Sequence, residues 1–221
     1  MRKRLVLSVP WLALRQAYRS HMGSIIHLVR HGEVNNPDGL VYADLPGFDL
    51  NDVGRQQAFT TAIHLSSRPI DEIWSSPLVR AIRTSEPLAM GLGNRIRVHP
   101  DLTEWRGLER WKGVAWDQIT ERFPGELEAY LEDPTDLSFA SENLRELADR
   151  VVGVMNQVAA RAISESVIVS HQDPLHAAVR VATGRGFPDF FDDKPTHGSV
   201  HTLEQLRTGW VLVDVYAGTG G

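Results

Sequence analysis

The sequence contains no cysteine, which excludes disulfides, a thiol nucleophile and cysteine-based zinc sites. It also lacks a basic excess: 23 lysines and arginines stand against 28 acidic residues, a net charge of −5 at pH 7. A chain so balanced carries no electrostatic footprint for nucleic acid, so any anion it binds must be gripped locally. No uninterrupted apolar run reaches the roughly 20 residues that a membrane span needs. Neither nucleic acid nor membrane is therefore expected as a partner. There is no internal repeat and no linker, and 221 residues suit one domain. Nothing asks for secretion, and the cytoplasm is the expected compartment. Residues 1–22 stand apart. Arg2-Lys3-Arg4 before the apolar Leu5–Leu14 resembles the start of a signal peptide, but Pro10 breaks the run and no A-x-A-like site follows. With Met22 just ahead of the first strand, 1–22 reads as an extension outside the fold and 23–221 as the domain.

The domain is organised around Ile25-Ile26-His27-Leu28-Val29-Arg30-His31-Gly32-Glu33. A short apolar run closed by a turn residue reads as a buried strand, and in open α/β sheets ligands bind beyond the carboxyl ends of the strands. Gly32 permits a sharp turn there. Residues 33–49 read as an irregular loop, and Asn51 as the cap of a helix from Asp52 to Leu65 with Gly54, Ala58, Ala62 and Leu65 on one face. Ile70–Trp74 follows as a strand. Ser76 is expected to cap the next helix with Pro77 at its first position; Leu78, Ile82, Ser85 and Ala89 form a stripe, with Arg80 on the other side of the first turn. Gly91 and Gly93 read as its C-terminal cap. After a strand at Ile96–Val98, residues 105–140 form an insertion with the look of a lid. Leu144, Leu147, Ala148, Val151, Met155, Val158 and Ala162 give the clearest helical stripe. Val167–Val169 is the next strand, with His171 two residues past its end and Asp173 as cap of a helix from Pro174 to Thr183. A hairpin, Ser199–Glu204 with Trp210–Val215, closes the domain. Strands alternating with helices imply a three-layer α/β/α sandwich with a mostly parallel central sheet.

That topology brings Arg30, His31, Arg80 and His171 to one rim, a set suited to a doubly charged phosphate because arginine forks make bidentate hydrogen bonds. Ser170, His171 and Asp173 are too close in sequence for a nucleophile, base and orienter. His197 and His201 lie in a loop and strand where i,i+4 spacing gives no common metal-binding face, and no H-E-x-x-H string is present. No metal site is expected.

LVRHGE (Leu28–Glu33), SSPLVRAIRTSE (Ser75–Glu86), Glu104 after Leu102-Thr103, and VSH (Val169–His171) together closely resemble the histidine phosphatase superfamily, the phosphoglycerate-mutase-like proteins, from about Ile25 to Val215. The resemblance implies a metal-independent phosphatase that hydrolyses a small phosphomonoester through a phosphohistidine on His31, without cofactor. It implies that Arg30, Arg80 and His171 hold the phosphate and that Glu104 protonates the leaving alcohol and then activates water. His31 must attack through an unprotonated nitrogen, so its other ring nitrogen should donate to a backbone carbonyl. The family's asparagine falls where Pro37 stands, which leaves Asn36 as a guessed phosphate contact. Altered spacing of Gly107, Trp111 and Gly113 makes Glu109 a rival acid. Gln172 and Asp173 stand where the family commonly has glycines, a change that could narrow the pocket. Phosphoglycerate mutase-type transfer and a decayed phospho-ligand binding module are the competing expectations. Substrate identity and oligomeric state stay open.

Overall fold

In the computed structural model, which describes residues 23–161 and 164–218, the apolar runs pair into one six-stranded sheet. Its strands are β1 (Ser24–Arg30), β2 (Ile70–Ser75), β3 (Ile96–Val98), β4 (Glu165–Ser170), β5 (Val200–Leu206) and β6 (Gly209–Tyr216). Their order is β3-β2-β4-β1-β5-β6. Pairings among β1 to β4 are parallel, while β5 runs antiparallel to β1 and to β6. Every residue of β4 is buried, as the middle of a sheet covered on both faces requires.

The helices are α1 (Asp52–Leu65), α2 (Val79–Leu92), the short α3 (Ile119–Arg122) and α4 (Glu126–Glu132), α5 (Leu144–Arg161) and α6 (Gln172–Ala182). α1 packs with α2, and α5 with α6. Alternation along the strands feeds two cores: Ile26, Leu28 and Ile168 join Val151, Met155 and Leu175, whereas Val29, Val167 and Val169 join Leu65, Ala81 and Leu88. This is the three-layer sandwich that the alternation of strands and helices implied. Within 105–140, two 3-10 turns and the two short helices build a third core, in which Trp105, Trp111, Ile119 and Tyr130 pack on Leu144 and Ala148 of α5.

Several local expectations hold. Asn51 caps α1, its side chain accepting from Gly54 N, and Gly93 ends α2 in the left-handed conformation, although Gly91 lies inside the helix and takes no part in the cap. Others are corrected. α2 begins at Val79 behind an extended Leu78, so neither Ser76 nor Pro77 opens it. Its inward face is Arg80, Ala81, Thr84, Ser85, Leu88 and Ala89, not the Leu78–Ile82 stripe, because small side chains let the helix approach the sheet and draw Arg80 inward. His171, not Asp173, is the N-cap residue of α6, and it follows β4 directly. The extension at 1–22 and Ala162 lie outside the described residues.

What positions the site is the level ending of three adjacent strands. Arg30 is in register with Ser170, and Ser75 with Val169. His31 N donates to Ser170 O at 3.0 Å and Ser76 N to Val169 O at 2.9 Å. His31, Ser76 and His171 therefore leave the sheet side by side. The turn after β1 is wedged against α1: a Cβ on Gly32 would meet the Gly54 carbonyl, and one on Gly54 the Glu33 carbonyl. Neither obstacle is a flexible side-chain end, so both glycines are required by close approach. We expect Gly54→Ala to cost about 1–3 kcal/mol, measured by urea unfolding; an unchanged midpoint would contradict the wedge.

Candidate active site

His31 is 1% exposed. Its Nδ1 donates to the Gly32 carbonyl at 2.7 Å, and because a carbonyl only accepts, Nε2 keeps a bare lone pair. Burial, then the charges of Arg80 and Arg30, hold this imidazole well below its usual pKa. It is neutral at physiological pH.

The His171 ring meets that of His31 edge to face, 5.1 Å between centroids. Its Nδ1 accepts from Arg80 Nε at 3.2 Å, so Nε2 carries the proton and donates to Ser76 Oγ at 2.7 Å. Burial and Arg80 also keep His171 neutral.

The two guanidiniums are held mostly by groups that have no charge to cancel theirs. Arg30 donates to the Pro195 carbonyl at 2.7 Å and to His197 Nε2 at 2.8 Å. Arg80 is fully buried, donates to the Ala43 carbonyl, and lies 4.8 Å over the Tyr42 ring. Among the described residues, Arg30 Nε and Arg80 Nη1 are buried donors without a partner. Each such group costs about 1–3 kcal/mol or more, and an anion beside His31 is the partner that would satisfy both.

Glu104 completes the rim. Its Oε1 accepts from Trp105 N at 2.8 Å, and its Oε2 lies 4.0 Å from His171 Nδ1. Burial first and the Asp173 carboxylate second raise its pKa to about 7, against the pull of Arg80. The turn that carries it is clamped by Arg150 of α5, which donates to the carbonyls of Asp101, Thr103 and Glu104 at 2.6, 2.9 and 3.1 Å and is paired with Glu142 at 2.6 Å. A cavity of about 230 Å³ opens here, lined in part by Arg30, Tyr42, Glu104, Trp116, Gln172 and Asp173. The larger hollow between α1 and α2, about 1160 Å³, lacks any histidine and lies away from these strand ends.

Arg30, His31, Arg80, His171 and Glu104 are thus brought together, while two other residues named from the sequence are engaged with other partners. Glu109 is 56% exposed and paired with Lys112 at 3.0 Å. Asn36 braces its own loop, its Nδ2 donating to Leu40 O and its Oδ1 accepting from Leu40 N, both at 3.0 Å. Sequence reasoning missed His197, whose ring is 5.6 Å from that of His31 and whose pKa burial lowers to about 4. It also missed Ser76 as the acceptor for His171, and Arg150. No local motif marks His197; only the fold turns it toward Arg30, and its i,i+4 partner His201 lies in a different cavity.

The family model for the histidine phosphatase superfamily (branch 1) matches residues 26–217. The chain is 33% identical over 161 residues to an uncharacterised protein of Mycobacterium tuberculosis, covering 72% of this chain and 79% of that one. It is 29% identical over 185 residues to phosphoserine phosphatase 1 of Hydrogenobacter thermophilus, covering 80% and 86%. Among solved structures, a mycobacterial glucosyl-3-phosphoglycerate phosphatase in complex with VO3 superposes with a TM-score of 0.77 at 25% identity, over 88% of this chain and 99% of that one.

If the free guanidinium donors bind an anion, Arg80→Ala lowers the affinity for inorganic phosphate about 10- to 100-fold, the worth of one or two charged hydrogen bonds. Calorimetric titration checks this, and unchanged affinity would remove Arg80 from the site.

Proposed function

The chain belongs to the histidine phosphatase superfamily (branch 1), and from that premise we propose that it hydrolyses a small phosphomonoester through a phosphohistidine formed on His31. The observation that carries the reading is a neutral, buried His31 with a bare Nε2 between two guanidiniums that hold unpaired buried donors.

The Nε2 lone pair attacks phosphorus while the bond to the leaving oxygen breaks. Negative charge on the equatorial oxygens meets Arg30 and Arg80, already fixed in a water-poor pocket, so little reorganisation is needed. His171 Nδ1, freed when Arg80 turns to phosphate, takes the proton of a monoanionic phosphate ester, becomes a third donor, and returns that proton to inorganic phosphate as it leaves. Glu104 transfers its carboxyl proton to the leaving oxygen and releases the alcohol. The resulting carboxylate takes a proton from water, whose oxygen bonds to phosphorus as the P–N bond breaks, and inorganic phosphate leaves with His31 restored. A carboxyl with a pKa near 7 suits both halves of this cycle. The guanidiniums supply the positive charge, so the reaction we propose is metal-independent.

The leaving group is small. The cavity of about 230 Å³ beside Glu104 lies below the roughly 300–1,000 Å³ typical of sites for larger ligands. Asp173 adds a carboxylate to its wall; one of its oxygens is paired with Lys194 at 3.0 Å, and the other can accept from an ammonium on the leaving group. Phosphoserine meets both demands, and the likeness to a phosphoserine phosphatase supports it.

The purified protein should release phosphate from phosphoserine and yield a labelled phosphoryl group on His31 that is absent in His31→Ala. No release from phosphoserine or a broad phosphomonoester panel, or conversion of 3-phosphoglycerate to its 2-isomer, would overturn the reading. Asp173→Asn should raise KM for phosphoserine about tenfold while changing it little for glycerol phosphate; equal effects would deny Asp173 a role in selection. The rate of His31 phosphorylation should fall as pH rises through about 7, because the acid form of Glu104 is lost there. Glu104→Gln should abolish that dependence and slow the step by about 10²- to 10⁴-fold; a persisting limb would assign it to another group.

A further inference from the structure

A second cavity, about 370 Å³, lies between α6 and the closing hairpin on the far side of the segment Lys194–Ser199. Three polar atoms in its lining residues are buried and without a hydrogen-bond partner among the described residues: His176 Nε2, Ser199 Oγ and His201 Nδ1. His176 is 4% exposed and Ser199 1%. Leaving such groups unpaired costs about 1–3 kcal/mol each, so three around one hollow are poorly explained as packing. The phosphatase chemistry uses none of them.

Charge and shape narrow the occupant. Arg185 lines the cavity as an exposed cation, Arg180 lines it while donating to the carbonyls of Gly186 and Pro188, and Lys194 lines it while paired with Asp173; Asp193 is the one carboxylate in the lining, and Val179, Leu212, Val215 and Ala217 form an apolar wall. Burial keeps His176 near a pKa of 4 and lowers His201, so both are neutral and each can donate one N–H without adding charge. Neutral donors, surrounding cations and an apolar wall in a hollow of ligand size suit a small organic anion, with its charged end at the histidines. We propose that this cavity is a second ligand site for a small carboxylate with a short apolar chain, and that its occupancy alters how Arg30 grips phosphate.

The wall between the two cavities is the reason for the second half. Pro195 O and His197 Nε2 take the two terminal nitrogens of Arg30. Arg30 N donates to Ser199 O at 3.2 Å, and Gly198 N to Arg30 O at 3.1 Å. Lys194, at the edge of the second cavity, is paired with Asp173 of the first. A ligand that engages Ser199 and Lys194 pulls on the strap that holds Arg30, and the coupling must be reciprocal. This half rests on Arg30 being a phosphate ligand; the binding site itself does not.

Butyrate is a suitable probe. Titrated into the full chain, it should move the histidine ring resonances of His176 and His201 saturably while those of His31 and His171 move little. Arg185→Ala, an exposed change that leaves the fold intact, should weaken binding several-fold, and Ser199→Ala should weaken it further. Absence of saturable shifts, or shifts confined to His31 and His171, would overturn the site. With butyrate saturating, calorimetry should show a several-fold change in phosphate affinity that Arg185→Ala diminishes. Butyrate binding with unaltered phosphate affinity would refute the coupling and leave the site standing. Failure of phosphate to bind with butyrate absent would instead count against the active-site reading.

Discussion

Burying two guanidiniums at the end of a parallel sheet is the constraint on which the site depends. A charge taken out of water must find compensation. Arg30 and Arg80 find it only in part, in carbonyls from Pro195 and Ala43, in the neutral rings of His197 and His171, and in the face of Tyr42. The pocket is left electropositive. An anion beside His31 would complete it by taking the donors left on Arg30 Nε and Arg80 Nη1.

The protonation pattern follows from the same burial. Imidazoles beside two cations in a dry pocket lose their protons, as His31 and His171 do, while the buried carboxyl Glu104 retains its own to near neutral pH. Opposite shifts in one pocket separate a base from an acid. Neither shift would survive loose packing, and the fold supplies rigidity where it is needed: strand ends in register, a glycine pair pressed backbone to backbone, and Arg150 holding the Glu104 turn from behind.

Much of this was legible in the sequence because it is local. Apolar runs ending at His31 and His171, the Asn51 cap and the Gly93 stop are written within a few residues of where they act. The inward face of α2 was misread, since Arg80 violates the rule that charge faces water; its burial is met by the Ala43 carbonyl, His171 and the Tyr42 ring, none of which the local sequence reveals. The bonds of Asn36 to the Leu40 backbone were not legible, because proximity to His31 in the chain says nothing about Leu40. His197 and Arg150 were invisible for the converse reason: they reach the site from 167 and 46 positions away from the residues they hold, through contacts that no periodicity encodes.

The chemistry at this rim depends on the tautomer and charge of one side chain, and nitrogen-15 NMR of the free enzyme measures both. His31 should show a protonated Nδ1 and a bare Nε2 that titrates nowhere between about pH 6 and 8, where an ordinary histidine changes charge. A His31 that titrates near 6.5, or that carries its proton on Nε2, would contradict it.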